Sequence, residues 1–358
     1  MAYTNIDDPS AHFQTTTYAG DSSNSTVITN GGNSDLQPDF VWIKNRTLAG
    51  GGSSNHMLFN SSVGIGTGAN SPYLQSSSDS PEATNSNGLQ AVSSNGFTPG
   101  SMTRTNETNS NFVAWQWKAN GGTTSSNTVG TITSTVQANT DAGFSIYTYT
   151  GTGAAGTVGH GLGGLPEMII MKGRNTTSNW PVYIDPQRDG SLQFPKLNGN
   201  EANIGNSPFT WDTTKFTFSS GSSYSNTSGT NYIAYAFRSI QGYSKIGSYI
   251  GNGNANGSFV YLGFKPAFVL IKQITDAAGD DWILYDNKRE PENVAIKKLF
   301  PNQAAAESSS YDTIDMLSNG FKMRSNLGGT NSSGKTYIYM AFAENPFVTS
   351  TGVPTTAR

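Results

Sequence analysis

The sequence predicts an all-β fold made of three tandem β-sandwich, jelly-roll-like modules related by a weak internal repeat. Three observations predict it. One set of apolar blocks recurs three times in the same order, the residues of the late block alternate between two faces, and turn-forming pairs separate the blocks.

Each element can be justified in chain order. A Tyr-x-Gly step opens each unit, at Tyr18-Ala19-Gly20, Tyr149-Thr150-Gly151 and Tyr249-Ile250-Gly251. An early block follows, Pro38-Asp39-Phe40-Val41-Trp42-Ile43-Lys44, repeated as Pro166-Glu167-Met168-Ile169-Ile170-Met171-Lys172 and Pro266-Ala267-Phe268-Val269-Leu270-Ile271-Lys272. Both faces of this strand are apolar, so it must be covered on both sides, by the fold or by a neighbouring chain. Shorter apolar runs come next: Met57-Leu58-Phe59, Trp180-Pro181-Val182-Tyr183 and Trp282-Ile283-Leu284-Tyr285. A late block closes each unit 74, 66 and 71 residues after its proline, starting at Phe112, Tyr232 and Tyr337. Its alternation places Val113, Trp115 and Trp117 on one face, matched by Ile233, Tyr235 and Phe237 and by Ile338, Met340 and Phe342; this is the expected core face. Ser94-Asn95-Gly96, Ser318-Asn319-Gly320 and Gly328-Gly329 read as tight turns that use positive φ. Residues 293–306, with Val294, Ile296, Leu299 and Phe300 at helical spacing, read as one short helix.

Boundaries follow from composition. Module 1 spans 1–120, a Gly-, Thr- and Ser-rich linker or strand 121–141, module 2 142–240, module 3 241–347 and a C-terminal tail 348–358. Within the linker, Thr131 to Val136 alternates as a strand that would pair with module 2.

Of 358 residues, 160 are Gly, Ser, Thr or Asn, yet 11% are aromatic, which favours a folded chain over disorder. Turns and polar strand faces account for that excess. Charged residues are 13% and the net charge is −3, which disfavours a nucleic-acid partner. With no cysteine there are no disulfides, thiolate metal sites or cysteine nucleophiles. The N-terminus shows no basic and apolar secretion signal, and the apolar runs fall far short of the roughly 18 residues of a membrane span. Few charges guard the strand edges, so identical neighbours are expected to cover them in a homo-oligomer, with a trimer favoured.

Chemistry is sparse. His12, His56 and His160 fall at unrelated points of the repeat and form no zinc motif. Gly151-Thr152-Gly153-Ala154-Ala155-Gly156 matches a dinucleotide-binding glycine pattern, but no amphipathic helix follows it. Asp276 with Asp280 and Asp281, and Asp185 with Asp189, are small acidic groups that read as solvated turns. No catalytic, cofactor or metal residue is expected. Trp42, Trp115 and Trp117 read as core; Trp180, Trp211 and Trp282 lie nearer loops, where an indole face would stack on a sugar ring.

The chain resembles the repeated β-domain virion proteins of tailed bacteriophages of marine bacteria. The resemblance rests on Asp35 to Arg46, Asn111 to Ala119, Gly242 to Tyr249, Thr336 to Glu344 and Gly352 to Arg358; module 2 departs from it at Glu167, Met168 and Gly173. It implies a non-enzymatic structural protein, a fibre or decoration subunit on capsid or tail, made in the host cytoplasm and released in virions by lysis. The alternative is a receptor-binding adhesin that recognises a host surface glycan. A polysaccharide-degrading tail enzyme ranks third, since no carboxylate pair stands out.

Overall fold

The computed structural model describes residues 3–48, 54–65, 70–185, 194–202, 209–218, 223–275 and 280–354. Asp189, Asp276 and residues 355–358 lie outside them. The fold is all-β and sandwich-like. Two one-turn helices, Thr103–Asn106 and Gly328–Asn331, are its only α-helices among the described residues.

Module 1 holds β1 (Phe13–Ala19), β2 (Ile28–Thr29), β3 (Phe40–Asn45), β4 (Met57–Asn60), β5 (Ser71–Tyr73), β6 (Ala83–Asn85), β7 (Leu89–Ser93), β8 (Gly96–Pro99) and β9 (Asn111–Trp117). Its main sheet has the order β1-β9-β3-β4, and β2-β8-β7 forms a smaller second sheet. Module 2 holds β12 (Phe144–Thr150), β13 (Gly156–Gly159), β14 (Met168–Gly173), β15 (Val182–Ile184), β16 (Phe209–Trp211), β17 (Lys215–Phe218) and β18 (Asn231–Phe237). The segment before it adds β10 (Ser125–Asn127) and β11 (Ser134–Asn139), so the order is β10-β11-β12-β18-β14-β15 against β13-β17-β16. Module 3 holds β19 (Ser244–Ile250), β20 (Phe259–Tyr261), β21 (Phe264–Gln273), β22 (Ile283–Asp286), β23 (Ile314–Leu317), β24 (Gly320–Met323) and β25 (Thr336–Pro346), ordered β19-β25-β21-β22 and β20-β24-β23.

The three main sheets share one register. Phe13 faces Trp117, Phe144 faces Phe237, and Ser244 faces Phe342. The early and late blocks are thus the two central strands of each main sheet, where both edges of the backbone are paired and both faces can be buried.

One face of each main sheet packs on the small sheet of its own module. Phe112 and Ala114, Tyr232 and Ala234, and Tyr337 and Tyr339 belong to these three separate cores. The opposite faces converge in one further core. Trp42, Trp115 and Trp117 of module 1 meet Ile170, Tyr235 and Phe237 of module 2 and Phe268, Met340 and Phe342 of module 3. Ring contacts cross the boundaries, as between Phe40 and Tyr235 at 4.4 Å and between Phe13 and Phe342 at 5.1 Å. At roughly 1.5–3 kcal/mol for each fully buried large apolar side chain, this shared core is a major source of stability. The cover that the sequence reading allowed to a neighbouring chain comes, for this face, from neighbouring modules of the same chain.

Two local expectations are corrected. Residues 293–306 form no helix but an irregular stretch held by isolated bridges, Ala295 to Ile314, Lys298 to Ser308 and Leu299 to Leu284. Pro291 and Pro301 bracket the stretch, and strand pairing at these positions overrides a weak helical period. Gly96 takes the expected positive φ, +124°, whereas Gly320 does not. Both positions still require glycine, because a Cβ would sit 2.0 Å from the carbonyl oxygen of Ile28 or of Val260 on the adjacent strand. Gly328 and Gly329 open the short helix instead of a hairpin.

Candidate functional site

The polar groups that this fold gathers lie at the boundaries between modules, and they recur in a cycle from module 1 to 2, 2 to 3 and 3 to 1. The repeated lysines Lys44, Lys172 and Lys272 are fully buried. Lys44 Nζ donates to the carbonyls of Asn45 (2.9 Å) and Ser54 (2.8 Å). Lys172 Nζ reaches Ser178 O in its own module and Asp79 O of module 1, 2.8 Å away. Lys272 Nζ donates to Asp280 O in its own module and to Asn200 O of module 2, 2.8 Å away. Burial pushes their pKa values down, Lys44 to about 7 and Lys172 and Lys272 to about 8; nearby carboxylates partly offset the shift for the latter two. A depressed lysine can act as a nucleophile when substrate reaches it. Here carbonyl oxygens enclose each amine, and its work is to bind loops and modules together.

The same cycle fixes the aromatic residues after these lysines. Trp180 Nε1 donates to Gln75 O (2.9 Å) and Ser78 O (3.0 Å) of module 1, and Trp282 Nε1 to Lys196 O (2.7 Å) of module 2. His56 stands at the matching place in module 1. Its Nδ1 accepts from Trp42 Nε1 at 2.9 Å, and its ring faces the Phe300 carbonyl of module 3. Burial, then the charges of Lys44 and Arg289, hold His56 well below the usual histidine range.

Among the described residues, ion pairs reinforce the boundaries of module 1 with module 2 and with module 3. Arg174 forks onto Glu82 at 2.8 and 2.7 Å, and Arg46 onto Glu307 at 2.9 and 3.0 Å. Glu307 also takes Arg289, itself bonded to Asp286 at 2.6 Å and fully buried over the Trp115 ring. Burial opposes the Glu307 charge, but Arg46 and Arg289 keep its carboxyl below the usual range. Sequence reasoning missed these pairs. The available signal was an arginine two residues after the repeated lysine in modules 1 and 2, replaced by Ile274 in module 3.

The acids of the early blocks secure the chain where it leaves modules 1 and 2. Asp39 accepts from the backbone N–H groups of Ala119 (2.7 Å), Gly121 (2.9 Å) and Gly122 (2.6 Å) and from Ser61 Oγ. Glu167 accepts from the Ser239 backbone N–H at 3.0 Å and from its hydroxyl. Ala267 stands at the equivalent position of module 3.

Among the described residues, three clefts stand out. One of about 200 Å³ lies between modules 1 and 3, beside Gln14, Asn33 and Glu344. One of about 440 Å³ lies between Asn120 and β10-β11. The largest, about 610 Å³, lies between modules 2 and 3 and is lined by Tyr3, Tyr261, Tyr339, Lys245, Ser248 and Glu167, among others. Tyrosine faces with amide, hydroxyl and charged groups suit a polar ligand.

The structure does not bring the three loop tryptophans together. Trp180 and Trp282 are 0% and 1% exposed, so neither indole face is available to a sugar. Their bulk fills module boundaries, a surface no single module reveals. Trp211 is half-buried against Phe209 and Phe216, with its N–H on Pro166 O at 2.8 Å. Gly151 to Gly156 turns from β12 into β13, with Asn226 Oδ1 on the Thr152 N–H. Asp281 accepts from Asn302 and Gln303 within module 3. Among the described residues no three His, Asp or Glu side chains gather as a metal site, and no helix is long and apolar enough to cross a membrane.

The model of one protein family, described as a domain of unknown function (DUF7483), matches residues 8–346. The chain belongs to the DUF7483 family. The DUF7483 span takes in nearly all of the three modules and the strand-bearing linker, and every residue of the shared core but Ile6. No curated protein and no solved structure matches the chain.

Proposed function

We propose that this chain is a non-enzymatic structural protein of a bacteriophage particle, a fibre or decoration subunit. One observation carries the reading beyond the sequence resemblance: the three modules bury their second faces in one another, and ion pairs and two buried lysines tie one module to the next. The product is a stiff body with a surface of small polar residues, suited to a role in which shape and durability matter more than a reactive centre. Release by lysis would free such a protein without export.

The test is its place in the particle. Particles banded from a culture producing this chain are probed with an antibody raised against it, and labelled particles are imaged. Stoichiometric label at capsid or tail is the expected result; banded particles free of the protein overturn the proposal. The adhesin reading keeps one specific support, the tyrosine-lined cleft between modules 2 and 3. Glycan binding abolished by Tyr261→Ala and preserved in Trp211→Ala would favour it and move its site away from the tryptophans.

A further inference from the structure

Modules 2 and 3 differ in how their flank is closed. In module 2 the segment preceding the module runs across the outer edges of both sheets. Ile132 donates its N–H to the carbonyl of Thr157 in β13 (2.9 Å), and β11 then pairs antiparallel with β12, with Gln137 opposite Ile146 and Thr135 opposite Thr148. Ile132 and Val136 thereby complete the core of that module.

Module 3 presents the equivalent two edges, β19 and β20, without such a segment, since only Ser239 to Gly242 connects it to module 2. The linker covers the start of β19: Ser244 N–H donates to Ile240 O and Ile246 N–H to Ser239 Oγ. By strand alternation the next outward amide is that of Ser248. Among the described residues no hydrogen bond reaches the Ser248 N–H or the Phe259 carbonyl, the counterpart of Thr157. Around them lie three exposed apolar side chains, Ile250 (65%), Phe259 (46%) and Tyr261 (49%). The edge borders the cleft between modules 2 and 3. Lys245, the one charge of β19, is held on the Tyr261 carbonyl at 2.7 Å and does not guard it.

We propose that this flank of module 3 binds an extended, uncharged segment of a partner protein, which adds a strand to β19 as β11 does to β12 and lays apolar side chains over Ile250 and Phe259. The segment on module 2 shows the occupant's chemistry: hydroxyl and small polar residues with β-branched apolar ones among them and neither charge nor proline, as in Thr131 to Asn139. A slender strand suits the site better than a second copy, because the walls of the cleft, Tyr3 and Glu167 among them, stand beside the edge.

The probe is a labelled peptide with the sequence of residues 129–140, titrated into the intact chain. Saturable binding is expected, weakened at least about tenfold by N-methylation of the peptide amides that would face β19 and by Ser248→Pro in the protein. Phe259→Asp is a second variant, should the proline perturb folding, and should weaken binding similarly. Absence of saturable binding at millimolar peptide overturns the proposal. So does equal binding to wild type and both variants, which would mean exchange with β11 in module 2. Dimers seen by light scattering and lost in Ser248→Pro would also overturn it, assigning the edge to a second copy.

Discussion

Trp180 of module 2 donates its indole N–H to the backbone carbonyl of Gln75 in module 1 across 2.9 Å. A tryptophan that looked available to a ligand is therefore a fastener between modules. Its replacement by phenylalanine keeps most of the apolar bulk but leaves buried carbonyls without a donor, at a cost of about 1–2 kcal/mol. Trp180→Ala also opens a void and should cost about 3–5 kcal/mol. Denaturant unfolding of both variants checks this ranking; equal, small effects would show that the indole does not hold the boundary.

A shared core makes the modules interdependent. The intact chain should unfold in one transition, seen together by tryptophan fluorescence and circular dichroism. Residues 142–240 expressed alone would expose Phe144, Ile146, Met168, Ile170, Tyr235 and Phe237 to water, and should be unfolded or aggregate. A cooperative, monomeric module 2 would contradict the interdependence.

The two arginine forks should not be equal in weight. Glu307 serves both Arg46 and the fully buried Arg289, whereas Glu82 serves Arg174, whose side chain is 23% exposed. Glu307→Gln removes charge beside a buried guanidinium and should cost about 3 kcal/mol, against about 1 kcal/mol for Glu82→Gln. Equilibrium unfolding in low and high salt tests both the order and the expectation that salt affects the Glu82 pair more.

Acid should act early, through His56. Its folded-state pKa lies well below that of an unfolded histidine, so protons bind the unfolded chain first as pH falls below about 6.5, and stability drops. Between pH 7 and 5.5 this one group accounts for a loss of about 1 kcal/mol. His56→Gln retains an acceptor for Trp42 and should remove that increment from the pH dependence of unfolding. An unchanged slope would mean that His56 is not held neutral.

Much of this was legible in the residues. Alternation in Val113, Trp115 and Trp117 reported a buried face, the repeat reported three main sheets of like strand order, and the alternation at Thr131 to Val136 reported a strand beside β12, which appears as β11 shifted to Ser134–Asn139. These are local signals, since a side chain's face in a strand depends on its position and not on its distant partners. Periodicity alone misled at 293–306, where the bonds that decide the conformation come from strands elsewhere in module 3.

By itself, then, the sequence determined three strand-built modules with two apolar faces on their central strands. What covers the second face, why Trp180 and Trp282 are dry, and which flank stays open were decided only by tertiary structure. The physical reason is that burial belongs to pairs of surfaces. A residue's chemistry shows that it needs cover, but only the closing of module 3 onto module 1 shows where the cover comes from.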